Sequence, residues 1–192
     1  MPRRTERAIR FLEDKGFRVK PGTLTGARDA WRSGTAEARA DELNALLRDP
    51  EVRCVMSTIG GNNSNALLPF LDYGAFRRDP KPVVGYSDVT AILFGLYAQT
   101  GIGTFYGPAL TASLGEYPPL VEETWSSFMD IVMGQAPRPY EYRSPSQWTD
   151  EFLDWEGQDR AKTMNANAWI TLRPGRVRGR LIAGNLNTLE GI

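Results

Sequence analysis

The chain has 192 residues, enough for one generous domain or for one domain and part of another. Its 23 Lys+Arg balance 23 Asp+Glu, and a zero formal net charge gives no electrostatic footprint for nucleic acid or an anionic membrane. A hydrophobic content of 41% permits a real core, while the single cysteine, Cys54, excludes an internal disulfide framework and fits a reducing compartment.

Arg3, Arg4, Arg7 and Arg10 open the chain, but no apolar run follows them, so they are not the start of a secretory signal. No stretch reaches the ~20 apolar residues that span a bilayer, and the expected address is the cytoplasm. Ala8, Ile9, Phe11 and Leu12 form an apolar stripe that predicts a helix over 5–15, closed by Gly16. Phe17-Arg18-Val19 then alternates as a short strand. A parallel α/β domain ordinarily opens on a strand, which here would have to precede Met1.

Residues 22–34 read as a polar loop, and Thr35 caps a second helix whose apolar stripe is Ala36, Ala40, Leu43 and Leu47, stopped at Asp49-Pro50. Val52 to Ser57 is a compact apolar strand of the kind buried in a parallel sheet, and Cys54 within it reads as an inert buried thiol. Gly60-Gly61 follows at once, at the carboxyl end of that strand, the edge on which open α/β sheets bind ligands. A short helix is expected over 65–71. A strand at Val83-Val84, a helix apolar nearly all round after Ser87, and a strand over 104–106 complete a repeated βα order. The expected fold class is therefore α/β, a doubly wound, mainly parallel sheet.

Leu120 to Met133 reads as an amphipathic helix. The proline-rich stretch 134–147 marks a linker or long surface loop. Apolar runs at 168–172 and 177–183 read as strands of a second unit, Gly184-Asn185 as a turn, and Leu186 to Glu190 as the start of a helix. The expected division is an α/β nucleophile domain over 1–147, a linker and active-site loop over 148–167, and the beginning of a smaller C-terminal domain over 168–192. With apolar strands uncovered, this does not have the pattern of a finished domain.

The chemistry centres on Gly85-Tyr86-Ser87, where a strand runs into a helix with a serine at the bend. α/β hydrolases present a nucleophile this way, although Val89 stands where the elbow's second glycine belongs. The residues alone also allow Ser87 or Asp88 to be a simple helix N-cap, a role compatible with the first because it leaves backbone N–H groups free to hold an anion. Gly61 and Asp88 could supply two such donors; a plain glycine turn and a phosphate cradle are the alternatives, and the G-K-[ST] and G-x-G-x-x-G signatures of a cradle are absent. The chain has no histidine, so it cannot itself supply the imidazole that usually takes a serine's proton. Trp155, in an acidic loop, could stack on a substrate ring or serve the core, and Trp169 reads as core. Asp72, Glu116, Glu122 and Glu123 read as solvated surface charges.

GGNNSNALLPFLDY, PKPVVGYSDVTAILFGLYAQTG, TFYGPAL and GRLIAGNLNTLEG, in this order, resemble the LD-carboxypeptidase family of serine peptidases, and within it the microcin-C immunity branch. The resemblance implies a two-domain hydrolase with its site between the domains, Ser87 as nucleophile, and the amides of Asp88 and Gly61 as oxyanion hole. It also implies Asn63, Ser64 and Trp155 as substrate contacts, with Trp155 stacking on a base. Substrates would be muropeptides with an L–D bond or acyl- or peptidyl-nucleotides; no cofactor, metal, nucleic acid or membrane partner is implied, and a homodimer is compatible. NNSN, in place of the muropeptide branch's R-G-G-Y-G pattern, tilts toward the immunity side. The family completes its triad with a glutamate and a histidine beyond the G-N-L-x-T-L block, within which this chain ends. Glu190 lies too early for that glutamate, so the chain alone is expected to be inactive, either as part of a longer enzyme or as a ligand-binding remnant.

Overall fold

Val83-Val84-Gly85, buried throughout, forms the middle strand of a parallel sheet, as a short β-branched run with no exposed face should. The computed structural model describes residues 2–30 and 32–192. In chain order it has helices α1 (Arg3–Asp14) and α2 (Ala36–Arg48), strand β1 (Val55–Met56), a 3-10 helix (Ser64–Phe70) and helix α3 (Tyr73–Arg78). Strand β2 (Val83–Gly85), a 3-10 turn (Ser87–Val89), helix α4 (Thr90–Thr100) and strand β3 (Phe105–Tyr106) follow. A π-helical turn (Leu110–Leu114), helix α5 (Leu120–Ile131), strands β4 (Gln147–Trp148) and β5 (Asn165–Ala166), and helix α6 (Leu186–Glu190) complete the chain.

The first three strands lie in the order β1-β2-β3, all parallel, with Val55 opposite Val83, Met56 opposite Val84 and Val84 opposite Phe105. Side chains alternate across a strand, and here the alternation divides the core in two. Val55 and Val83 pack with Ala40, Leu47, Phe76, Leu93 and Leu96, from α2, α3 and α4. Val84 turns the other way, onto Ala8, Leu114, Trp125 and Phe128, from α1, the π-helical turn and α5. Helices thus cover both faces of the sheet, and the α/β class expected from the sequence is the observed one.

Local chemistry sets the element ends. The Thr35 hydroxyl accepts the Ala38 amide proton at 3.2 Å and caps α2, and Gly101 closes α4 in the left-handed region at φ 74°. Asp72 is not a free surface charge: its Oδ1 accepts from the Ala75 amide at 2.8 Å and caps α3, a helix the sequence reading missed, while Arg48 pairs with Oδ2 at 2.6 Å. The Ala75 bond first, and Arg48 with it, hold the Asp72 carboxyl below its ordinary range.

Several expectations fail. Phe17-Arg18-Val19 is not a strand; Phe17 meets Trp125 edge-on at 5.4 Å and the backbone has no ladder partner. The helix expected over 65–71 is a 3-10 helix, with Pro69 inside it. Turns occupy the 22–34 loop as expected, with Trp31 outside the described residues. The runs 168–172 and 177–183 form no strand, because no neighbouring ladder offers them hydrogen bonds. Trp169 is accordingly 79% exposed rather than core, and Ile170, Leu172, Val177, Leu181 and Ile182 are also exposed. The only pairing in this part of the chain, among the described residues, is the antiparallel contact of β4 with β5. No helix among the described residues is long and apolar enough to cross a membrane.

Candidate active site

β1 and β2 end side by side, so the loop after each emerges on the same edge of the sheet. After β2 the chain bends at Ser87, whose φ is 57°. A non-glycine residue held in that region stores about 1–3 kcal/mol of backbone strain. Glycines make room for the bend. A Cβ on Gly85 would stand 2.6 Å from Val89 Cγ1 and 2.8 Å from Ser57 Oγ; one on Gly60 would stand 2.7 Å from Ser87 Cβ. The Ser87 amide donates to the Tyr106 hydroxyl at 3.2 Å, and its carbonyl accepts from Thr90 Oγ1 at 2.6 Å. Ser87 itself lines a cleft of about 330 Å³.

One wall of the cleft is the glycine loop and the bend: Gly61, Asn62, Asn65, Ser87 and Asp88. The other is the turn into α6, with Asn185, Asn187 and Thr188. That turn is fastened beside the serine, because the Asn185 amide donates to Thr90 Oγ1 at 3.0 Å and the Asn185 side chain caps α6 through the Thr188 amide at 3.1 Å. Asp88 is buried, and its Oδ2 accepts from the Asn63 and Ser64 amides, each at 2.8 Å. Neither the Gly61 nor the Asp88 amide donates to an acceptor of the chain among the described residues. Two amides with no acceptor in the chain thus belong to residues that line the cleft together with Ser87, and free N–H donors of this kind can stabilise an oxyanion.

Of the residues singled out in the sequence, Gly61, Ser87 and Asp88 share this cleft. Asn63, Ser64 and Trp155 are not among its lining residues: Asn63 Oδ1 accepts from Arg39 Nη1 at 2.9 Å, and Ser64 is buried. Asn62, Asn65, Asn185, Asn187 and Thr188 were not anticipated. The signal available for the last three was the asparagine-rich G-N-L-N-T block, which reads as a turn until its neighbour at Thr90 is known.

Behind the bend lies a buried charged cluster that the sequence reading placed on the surface. Glu116 is 8% exposed and Arg4 1%. Arg4 Nη2 pairs with Glu116 Oε1, its Nε donates to the Thr111 carbonyl and its Nη1 to Gln158 Oε1, both at 2.8 Å. Lys162 Nζ reaches Glu116 Oε1 at 2.8 Å, and Gln158 Nε2 donates to Oε2 at 3.0 Å. Burial pushes the Glu116 carboxyl up, but the bonds from Gln158, Lys162 and Arg4 outweigh it and leave the net shift downward. The Arg4 guanidinium also sits over the half-buried Trp155 ring, 4.8 Å from its centroid. Tyr86, next to the serine, titrates above its ordinary range, through burial first and against the opposing charge of Arg4.

Burial raises the Cys54 thiol to about 11, so it stays protonated near neutral pH and is no competing nucleophile. Among the described residues no cluster of three or more His, Cys, Asp or Glu side chains is placed to hold a metal.

Comparison with known proteins bears on this arrangement. A protein of Vibrio cholerae named as a carboxypeptidase is 56% identical over 191 residues, 100% of this chain and 57% of that protein. The microcin C7 self-immunity protein MccF of Escherichia coli is 50% identical over 188 residues, 97% of this chain and 55% of that protein. A solved structure of MccF without ligand superposes with a TM-score of 0.92 at 49% identity, covering 98% of this chain and 57% of that one. Muramoyltetrapeptide carboxypeptidase from Oxalobacter formigenes superposes with a TM-score of 0.59 at 25% identity, over 66% of this chain and 42% of that one. The chain spans little more than half the length of the curated relatives it matches. Residues 1–107 match the profile of the LD-carboxypeptidase N-terminal domain. With the strand–bend–helix around Ser87 inside that match, the chain belongs to the LD-carboxypeptidase family.

Proposed function

We propose that the chain carries the nucleophile half of a serine carboxypeptidase, with Ser87 attacking and the Gly61 and Asp88 amides holding the oxyanion. The observation that carries this reading is the left-handed Ser87 at the open end of β2, lining the cleft beside the glycine loop. Ser87 Oγ adds to the acyl carbonyl and gives its proton to a base. The carbonyl oxygen becomes an anion facing the two N–H groups, the bond to the leaving amine breaks as that nitrogen is protonated, and water hydrolyses the acyl-serine. The chain has no histidine to serve as that base.

For substrate we favour the acyl-nucleotide class over muropeptides. MccF, at about half identity, has been solved with aspartyl sulfamoyl adenosine and with glutamyl sulfamoyl guanosine, and a variant of it with tryptophan replaced by phenylalanine has been solved with adenosine monophosphate. Another MccF structure is described as an active-site mutant with a serine, an asparagine and a lysine changed to alanine, which supports a serine at the centre of the chemistry. In this chain Trp155 is the proposed base-stacking ring, and Arg4 beneath it fixes its plane.

A fluorophosphonate probe applied to the full-length gene product is expected to label Ser87, and aspartyl sulfamoyl adenosine to be cleaved faster than an L–D muropeptide. Labelling elsewhere, or none, would end the serine reading; a preference for the muropeptide would reverse the choice of substrate. A ligand-holding role without turnover is the second reading, favoured by the missing histidine. It would appear as calorimetric binding of aspartyl sulfamoyl adenosine with no hydrolysis.

A further inference from the structure

Asp88 touches the candidate oxyanion site twice, and only one of those contacts is its amide. We infer that its side chain is a positioning residue, a clamp that sets where the glycine loop places the second oxyanion donor; this rests on the serine-peptidase reading above. The buried carboxylate directs one oxygen, Oδ2, at two consecutive amides, Asn63 and Ser64, each at 2.8 Å. Successive N–H groups converging on one anion form a nest, here filled by the protein's own carboxylate.

The loop passes so close that a Cβ on Gly61 would stand 3.0 Å from the same Oδ2, so the donor residue itself lies over the clamp. From the other side Arg39 Nη1 holds the Asn63 side chain at 2.9 Å, and the Arg39 and Asp88 charges act on each other. The two donors are therefore linked through a single side chain. The residue that offers one N–H from its backbone fixes, with its carboxylate, the loop that offers the other. Oxyanion donors act by being in place before charge develops, and in a loop with two glycines and no ladder the two 2.8 Å bonds to Asp88 supply that restraint.

The test is Asp88→Asn in the full-length gene product, read by fluorophosphonate kinetics. The final amount of labelled Ser87 counts folded sites, and the maximal labelling rate reports stabilisation of the oxyanion. Loosening one donor is expected to slow the maximal rate about ten- to a hundredfold, less than the ~10²–10³-fold of deleting a donor outright. The half-saturating probe concentration should change little, because ground-state binding is untouched. A residue that merely stabilised the fold would lower the amount labelled and leave the rate per site unchanged; that result, or a changed half-saturation with an unchanged rate, overturns the clamp. Should the variant fail to fold, hydrogen exchange on the unmodified protein decides. The Asn63 and Ser64 amides are expected to be protected although they lie outside the sheet, and fast exchange at both overturns the proposal. Absence of Ser87 labelling in the unmodified protein is a separate result, and it overturns the serine-peptidase reading itself.

Discussion

Ser87→Ala in the full-length gene product is expected to lower kcat by about four to six orders of magnitude, with KM and thermal midpoint nearly unchanged. The size follows from what the substitution removes and what it leaves. Alanine keeps the Cβ that packs beside Gly60 and tolerates a φ of 57° about as poorly as serine does, so the bend is neither relieved nor newly strained. The Ser87 backbone contacts, from its amide to Tyr106 and from the Thr90 hydroxyl to its carbonyl, survive. The cleft and both unspent amides remain, and these account for the residual rate. Only the attacking oxygen is lost. Steady-state hydrolysis of aspartyl sulfamoyl adenosine, with a melting curve as control, reads both halves of the expectation, and a variant retaining a tenth of the activity would remove Ser87 from the chemistry.

The second large effect is on stability. Glu116→Ala leaves Arg4 buried beside Trp155 without its carboxylate, and breaking a buried pair in this way costs about 3–5 kcal/mol. Most of that cost is the stranded charge, not the lost bond. Arg4 would keep its carbonyl partners at Thr111 and Ala112 and its bond to Gln158, which hydrate it only in part. Glu116→Gln, which keeps an acceptor, should lose less. The pH dependence carries a sign. Glu116 titrates below its ordinary value in the folded chain, so its contribution is fully present above the unfolded-state value of about 4.3 and is lost as pH falls through the lower folded one. Urea unfolding should therefore separate the parent chain from Glu116→Ala near neutral pH, with the gap closing in acid. A gap that stayed open below the carboxylate range would mean that Glu116 acts through packing rather than charge.

Much of this site could be read in the sequence because its cues are local. Gly85, the strand before it and the helix after it locate the bend within a few residues, and Gly60-Gly61 comes shortly after β1. Thr35 and Gly101 mark helix ends through backbone chemistry that needs no partner from elsewhere. What escaped was decided by residues far away in the chain. Glu116 reads as a solvated charge until Arg4, from the first helix, and Lys162, from the stretch read as linker and active-site loop, are brought to it. Asn185 reads as a turn until Thr90 is placed under it. The runs around Trp169 and Val177 have strand composition, but a strand also needs a neighbour to pair with, and composition carries no information on that. Phe17 shows the same limit: its alternation suggested a ladder, and an aromatic contact with Trp125 took its place.

The solvent-facing side chains between Trp169 and Ile182 alter how this chain would behave in a routine spectroscopic assay. ANS brightens on exposed apolar surface, and such brightening is commonly taken as a sign of a molten globule. Here the native state already offers that surface, on residues that contribute to neither core cluster. The dye should glow in plain buffer while near-ultraviolet dichroism still reports fixed aromatic packing, and its emission should fall, not rise, as urea is added.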